Sequence, residues 1–213
     1  MGSVIDMNWL RHFLTISRHR YLVRKGCFRV GLYWQGLTHD LSKYAPEEFL
    51  NGVKYFQGNR SPNTAEREDK GYSEGWIHHK GRNRHHYEYW TDLDLTTKRY
   101  ESVPMPRKYL VEMVMDRIAA CKVYQGSEYT DGSALAYLEG SREKLMMHPK
   151  TLQELRFILT MLQEQGEYKT FRYLRREVLR GKPFPWECEY TEYHRASYHC
   201  PVIKISSDME KSA

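Results

Sequence analysis

The dipeptide His39-Asp40, set in Gly36-Leu37-Thr38-His39-Asp40-Leu41-Ser42-Lys43, constrains this chain more than any other stretch. His19 precedes it, and a cluster of His78, His79, His85 and His86 follows, with an isolated Asp116 further on. Imidazole and carboxylate together form the ligand set for Zn, Fe, Mn and similar divalent metals. The order His, then His-Asp, then His pairs, then Asp reads as a site for one or two metals. Any fold that satisfies this reading must bring segments near 19, 39, 78–86 and 116 to one place. Such a metal would generate a hydroxide nucleophile near neutral pH or polarise a phosphoryl oxygen.

The periodicity predicts an all-α chain. Trp9, His12, Ile16, His19 and Val23 recur at spacings of three and four, predicting a helix over 7–25. A second, apolar helix is expected over 27–38, leading into the dipeptide. Pro46 suits the first turn of a helix to about Phe56, with Glu47 and Glu48 favourable at its N-terminus. The polar stretch 58–71, with Ser61-Pro62-Asn63, reads as a surface loop. Residues 72–90 read as one helix, or two broken near Gly81-Arg82-Asn83, and a small β-hairpin is expected between Thr91 and Pro106. A strong helix from Pro106 to Tyr124 follows, then helices over about 134–147, 150–165 and 168–181. Pro183 and Pro185 open an irregular tail, so the expected division is a helical domain over 1–182 and a tail over 183–213.

Asp116 falls in the stripe Tyr109, Met113, Asp116, Ala120, Val123, so its carboxylate lies on the buried face of its helix. An unpaired buried carboxylate is costly, and such groups are paired with a cation or bound to metal. A salt bridge to Arg117 is the competing account. His19 shares a stripe with Ile16 and Val23, and His12, earlier on that face, is an alternative ligand or a supporting residue. The run from Trp76 to Trp90 concentrates four histidines among Lys80, Arg82 and Arg84, which an anion or a metal with an anion would reconcile. Adjacent helical residues point about 100° apart, so one histidine of each pair is expected to be a direct ligand. His79 and His86 are taken as those ligands, with Lys43, Arg82 and Arg84 as contacts for substrate oxygens.

A net charge of +6 favours anionic partners. Lys169, Arg172, Arg176 and Arg180 fall on one face of the predicted 168–181 helix, opposite Phe171, Leu174 and Val178. That face is either a solvated surface or a contact for a phosphate-rich ligand or nucleic acid. No apolar run is long enough to span a bilayer and no signal-peptide core is present, so a cytoplasmic location is expected. Cys27, Cys121, Cys188 and Cys200 are too scattered for a disulfide framework. The spacing of Cys188, His194, His199 and Cys200 matches no established zinc module, and the segment around 78–90 reads as helical, unlike a His-Asn-His nuclease site.

The arrangement of His19, His39-Asp40 and Asp116 on a helical background resembles the HD-domain superfamily of metal-dependent phosphohydrolases. His39-Asp40-Leu41-Ser42-Lys43 is similar to the His-Asp-x-Gly-Lys segment of many members, with Ser42 where glycine is common. The chain also looks like an uncharacterised bacterial and phage family of small HD-like proteins. That likeness rests on Gly36 to Tyr44, His78-His79-Lys80-Gly81-Arg82-Asn83, His85-His86-Tyr87-Glu88-Tyr89-Trp90 and Pro104-Met105-Pro106, and covers about residues 10–180. The resemblance implies an HD-like helical bundle with metal on His19, His39, Asp40 and Asp116, and Lys43 as a phosphate contact. The histidines between 78 and 86 resemble the two-metal subset. The function so implied is hydrolysis of a nucleotide or other phosphorylated small molecule through a metal-bound hydroxide. Asp40, Lys43, His79 and His86 are the catalytic candidates, and Mn, Fe, Co or Zn, with Mg as a further option, are the expected ions. A di-iron oxygenase on the same fold, and a metal-stabilised module binding nucleic acid or protein, are the competing expectations.

Overall fold

The structure is a computed structural model and describes residues 2–189. It is helical with one small hairpin, as the periodicity predicts. The first helix, α1 (Gly2–Val30), buries Ile16, Val23, Cys27 and Val30 along one stripe. It does not stop at Gly26, where the sequence suggests a break. A β-carbon on Gly26 would meet Met115 Sδ at 2.7 Å, so this glycine lets two helices approach closely. The break comes instead at Gly31, at φ +92°, where the Leu32 amide donates to Cys27 O at 2.8 Å. That six-to-one bond around a left-handed glycine is a Schellman stop. The expected 27–38 helix is thus the end of α1 followed by a short α2 (Tyr33–Thr38).

After a 3-10 turn at Leu41–Tyr44 comes α3 (Pro46–Lys54), with Pro46 in the first turn as expected. The stretch expected as a surface loop holds α4 (Pro62–Lys70), ended by Gly71 at φ +81°. Proline signals a turn in a polar stretch, but it also suits the first helical position. Buried Glu66 decides the matter, accepting hydrogen bonds from Asn51 and Ser73 and from the amides of Glu74 and Gly75. The next helix, α5 (Glu74–Lys80), is capped by Ser73 Oγ accepting from the Trp76 amide at 3.0 Å. The hairpin pairs β1 (Thr91–Leu93) with β2 (Tyr100–Ser102) in antiparallel register, Asp92 opposite Glu101.

The central element is α6 (Arg107–Gln125), whose Leu110, Val111, Val114, Met115 and Ile118 are all buried between α1 and the C-terminal helices. The helix expected over 134–147 is shorter, α7 (Ser133–Gly140), and passes into a 3-10 turn at Arg142–Leu145. The two helices expected over 150–165 and 168–181 form one element, α8 (Pro149–Arg176), kinked at Gly166 with φ +74° and ψ 171°. Its regular part stops at Arg176, five residues short of the expected end, where a 3-10 turn over Val178–Arg180 leads to Gly181 at φ +74°. The expected tail opens on a core residue. Phe184 is fully buried, stacks on Trp186 at 4.9 Å, and precedes α9 (Pro185–Glu189). Of the grouping of Cys188 with His194, His199 and Cys200, the last three lie outside the described residues. Cys27 and Cys121 are free thiols, the first buried. Among the described residues no helix is long and apolar enough to cross a membrane.

Candidate metal centre

The dipeptide sits where α2 gives way to the 3-10 turn. Asp40 takes the left-handed conformation at φ +52°, which aspartate tolerates better than most residues. Arg20 holds the approach in place, its Nε donating to His39 O at 2.8 Å and its NH2 to Leu37 O at 3.2 Å. The resulting geometry turns the two oxygens of one buried carboxylate in different directions. Asp40 Oδ2 lies 3.7 Å from His19 Nε2 on α1 and 3.5 Å from His39 Nε2. Asp116 Oδ1 on α6 completes that group, 2.9 Å from His19 Nε2 and 3.4 Å from His39 Nε2. Asp40 Oδ1 faces the other way, 3.3 Å from both His79 Nε2 on α5 and His85 Nε2. His86 joins this second group, and in each group the donor atoms lie within 4.8 Å of one another.

The far nitrogens of His39, His79 and His85 are held by carboxylates. Glu112 Oε1 is 3.0 Å from His39 Nδ1 and 3.2 Å from His85 Nδ1, while Glu48 Oε2 is 2.7 Å from His79 Nδ1. A carboxylate at Nδ1 keeps the proton there and leaves Nε2 as a lone pair, the arrangement that orients metal-binding imidazoles. His39, His79, His85 and His86 each have a buried Nε2 without a hydrogen-bond partner, and so does Asp40 Oδ1. Buried polar atoms are rarely left in that state. Donors about 2.1 Å from one ion stand about 3.0 Å apart in an octahedron and about 3.4 Å apart in a tetrahedron. The separations of 3.3–3.7 Å around Asp40 are close to those edges. These residues fit a divalent ion, and Asp40 belongs to both groups.

Charge leads to the same conclusion. Burial alone would raise the Asp40 carboxyl, but His39 and Lys43 hold it well below the usual carboxylate range. Burial would raise Asp116 too, and His19 and His39 beside it lower it well below that range. His85 would be lowered by burial, yet Asp40 and Glu112 push it up to about 10. His86, with His85 and His79 beside it, is lowered well below an ordinary imidazole by burial. The carboxylates therefore demand positive charge at the point where the Nε2 atoms converge. Lys43 Nζ stands 3.4 Å from Asp40 Oδ2, and Asp40 holds its ammonium above the usual range against the effect of burial.

A cavity of about 450 Å³ opens over this centre, reaching Lys43, His79, His86 and Asp116. One wall comes from α1, α3 with the turn that follows it, and α4, and includes His12, Phe56 and Asn63; the other comes from α6 and α7 and includes Arg117, Tyr124 and Tyr137. His12 is not in the centre but packs its ring against Phe49 and Phe56. Burial, with Lys43 nearby, lowers it to about 4. Arg117 pairs with Glu143 at 2.6 Å rather than with Asp116. Arg82 and Arg84 do not line the cavity. Arg82 donates to His78 O, and Arg84 reaches out to Tyr109 Oη at 3.1 Å. The expected substrate role of these two arginines has no geometric basis, because the turn that carries them points its histidines inward and its arginines outward.

Of the expected residues, His19, His39, Asp40, His79, His86, Asp116 and Lys43 are brought together. His85 joins them, contrary to the expectation of one inward histidine per pair. That expectation assumed a helix, whereas residues 81–86 form turns in which both rings face the same way, their centroids 4.2 Å apart. His78 follows the helical rule and faces Glu48 Oε1 at 2.6 Å. Glu48 and Glu112 were missed as site residues. Glu112 lies one helical turn before Asp116 in an otherwise apolar stretch, a signal that would have found it.

The fold and centre define a helical protein whose clustered histidines and carboxylates could hold metal. The chain belongs to the Family of unknown function (DUF5662), whose model matches residues 8–161. No curated protein and no solved structure matches it.

Proposed function

We propose that this protein is a metal-dependent hydrolase of phosphate esters that works with two divalent transition-metal ions. The observation that supports the reading best is the shared Asp40 carboxylate, with one oxygen toward His19, His39 and Asp116 and the other toward His79 and His85. The resemblance of His39-Asp40 and its partners to HD-domain phosphohydrolases supports it independently. Ions held there supply Lewis acidity toward a phosphoryl oxygen and activate water. Five imidazoles favour Mn, Fe, Co or Zn over Mg, which prefers oxygen donors. Lys43 beside Asp40 holds the ester's non-bridging oxygens, and Glu48 and Glu112 keep the imidazoles oriented. The cavity is large enough for a nucleotide or sugar phosphate. The same nitrogen-rich donor set also suits two irons that activate dioxygen, the second reading.

The test is metal analysis of the purified protein, followed by a screen of nucleoside mono- and triphosphates, cyclic nucleotides and sugar phosphates with each ion. Phosphate or monophosphate release that vanishes in Asp40→Ala and drops in Lys43→Ala supports hydrolysis. Oxygen uptake by the iron-loaded protein without any phosphate release replaces it with the oxygenase reading.

A further inference from the structure

On the far side of α1 from the metal centre lies a surface with an unusual charge pattern. Residues 7–39 contain six arginines and lysines and no aspartate or glutamate. Along α1 the exposed positions Arg18, Tyr21, Arg24, Lys25, Phe28 and Arg29 fall at helical spacing on the face opposite buried Val23, Cys27 and Val30. The end of α8 lies alongside and exposes Arg172, Arg175 and Arg176. Between them runs a groove of about 480 Å³, lined by Arg29, Tyr168, Phe171 and those three arginines. Its two sides are tied together where Arg29 bonds Glu167 at 2.6 Å and lies over the Phe171 ring at 4.3 Å. Arg175 Nε closes the end, 3.9 Å from the β-carbon position of Gly31.

Arg24, Lys25, Arg172, Arg175 and Arg176 have no carboxylate at ion-pair distance among the described residues. Lys25 with Arg29, and Arg172 with Arg176, are like charges four apart on a helix, a pairing that destabilises it. A protein maintains such crowding at a cost to its own fold, and a polyanion relieves it. Tyr168, which lines the groove, is 73% exposed, and so is Trp34 on α2, three residues along the chain from Gly31 at the groove's end.

We propose that this face binds single-stranded nucleic acid, with backbone phosphates on the α1 and α8 arginines and bases stacked on Trp34 and Tyr168. Guanidinium groups match phosphate oxygens in a fixed fork, and six of the seven exposed cations named on α1 and α8 are arginines. Open aromatic faces beside a cationic groove are what unpaired bases use, and a duplex, its bases already stacked, cannot use them.

Fluorescence anisotropy of the full-length protein with labelled oligo-dT and oligo-U of about 12 nucleotides tests this. Binding is expected at about 50 mM salt and to weaken tenfold or more by about 200 mM. The exposed triple variant R172Q/R175Q/R176Q is expected to bind about tenfold more weakly and to lower the salt slope by about 2, at roughly 0.7 for each phosphate left unneutralised. Trp34→Ala is expected to weaken binding about tenfold and leave the slope unchanged. Absence of binding at the lower salt, an unchanged triple variant, a preference for duplex, or retention by anionic phospholipid vesicles in place of oligonucleotide each overturns the proposal.

Discussion

At Asp40 two unfavourable features coincide, a left-handed backbone at φ +52° and a carboxylate almost wholly removed from solvent. The first costs about 1 kcal/mol for a residue with a β-carbon, and the second far more unless cations meet it. Both persist because the Arg20 bonds fix the backbone and the imidazoles fix the charge. The imidazoles depend in turn on carboxylates behind them. Removing the charge of Glu112, which serves His39 and His85 together, is therefore expected to loosen metal without touching it. Glu112→Gln is predicted to lower metal affinity about 10- to 100-fold while helicity is retained, measured by competition with a chromophoric chelator. Arg82→Gln, on the outward side of the same turn, is expected to change nothing in that titration. A parallel prediction separates the two groups. Asp116→Asn is expected to reduce bound metal from two equivalents to one, and Asp40→Ala to remove both, by elemental analysis. Normal metal content in Asp116→Asn would make Asp116 only an ion-pair partner of His19.

Among the elements, the joint of α4 and α5 shows how a polar segment is held. Burial would raise the Glu66 carboxyl, but bonds from Ser73, Asn51 and Lys70 and the Glu74 amide lower it from 4.5 to about 2. A carboxylate lowered in the folded state adds stability above its unfolded value, and that stability is lost as pH falls toward the folded one. Its contribution is thus complete above about pH 4.5 and gone near pH 2. Glu66→Gln is predicted to cost about 2 kcal/mol in urea unfolding at pH 7, with the gap to wild type shrinking steadily between pH 4.5 and pH 2. A gap independent of pH would assign the loss to packing. The same joint marks the limit of what periodicity can read. Helices with apolar stripes, such as α1 and α6, were legible because their burial is written in their own spacing. The short polar α4 was not, since its main buried anchor is a carboxylate whose partners lie on α3 and at the start of α5. Gly26 misled for a related reason: a glycine that admits Met115 looks locally like a glycine that ends a helix.

For the molecule as a whole, the donors come from α1, the α2 stop, α5, the 81–86 turns and α6, so the centre ties together segments from both sides of the core. Donor identity was legible because imidazole and carboxylate are conspicuous in an otherwise apolar stripe. The inward course of both His85 and His86, and the outward course of Arg82 and Arg84, depended on turn geometry that no spacing rule supplies. This cross-linking carries a consequence for stability. A ligand that binds only the folded state adds about 4 kcal/mol when present at a thousand times its dissociation constant, and each kcal/mol raises the melting temperature of a chain this size by about 2–4 °C. Stripping metal with a chelator is therefore predicted to lower the melting temperature by about 10 °C, and returning Mn, Co or Zn to restore it, followed by circular dichroism at fixed protein concentration. Asp40→Ala, which removes the carboxylate common to both groups, is expected to melt at one temperature with or without added metal. If wild type and Asp40→Ala both ignore chelator and metal alike, the cluster is a self-satisfied network of histidines and carboxylates, and the proposal of a metal enzyme fails with it.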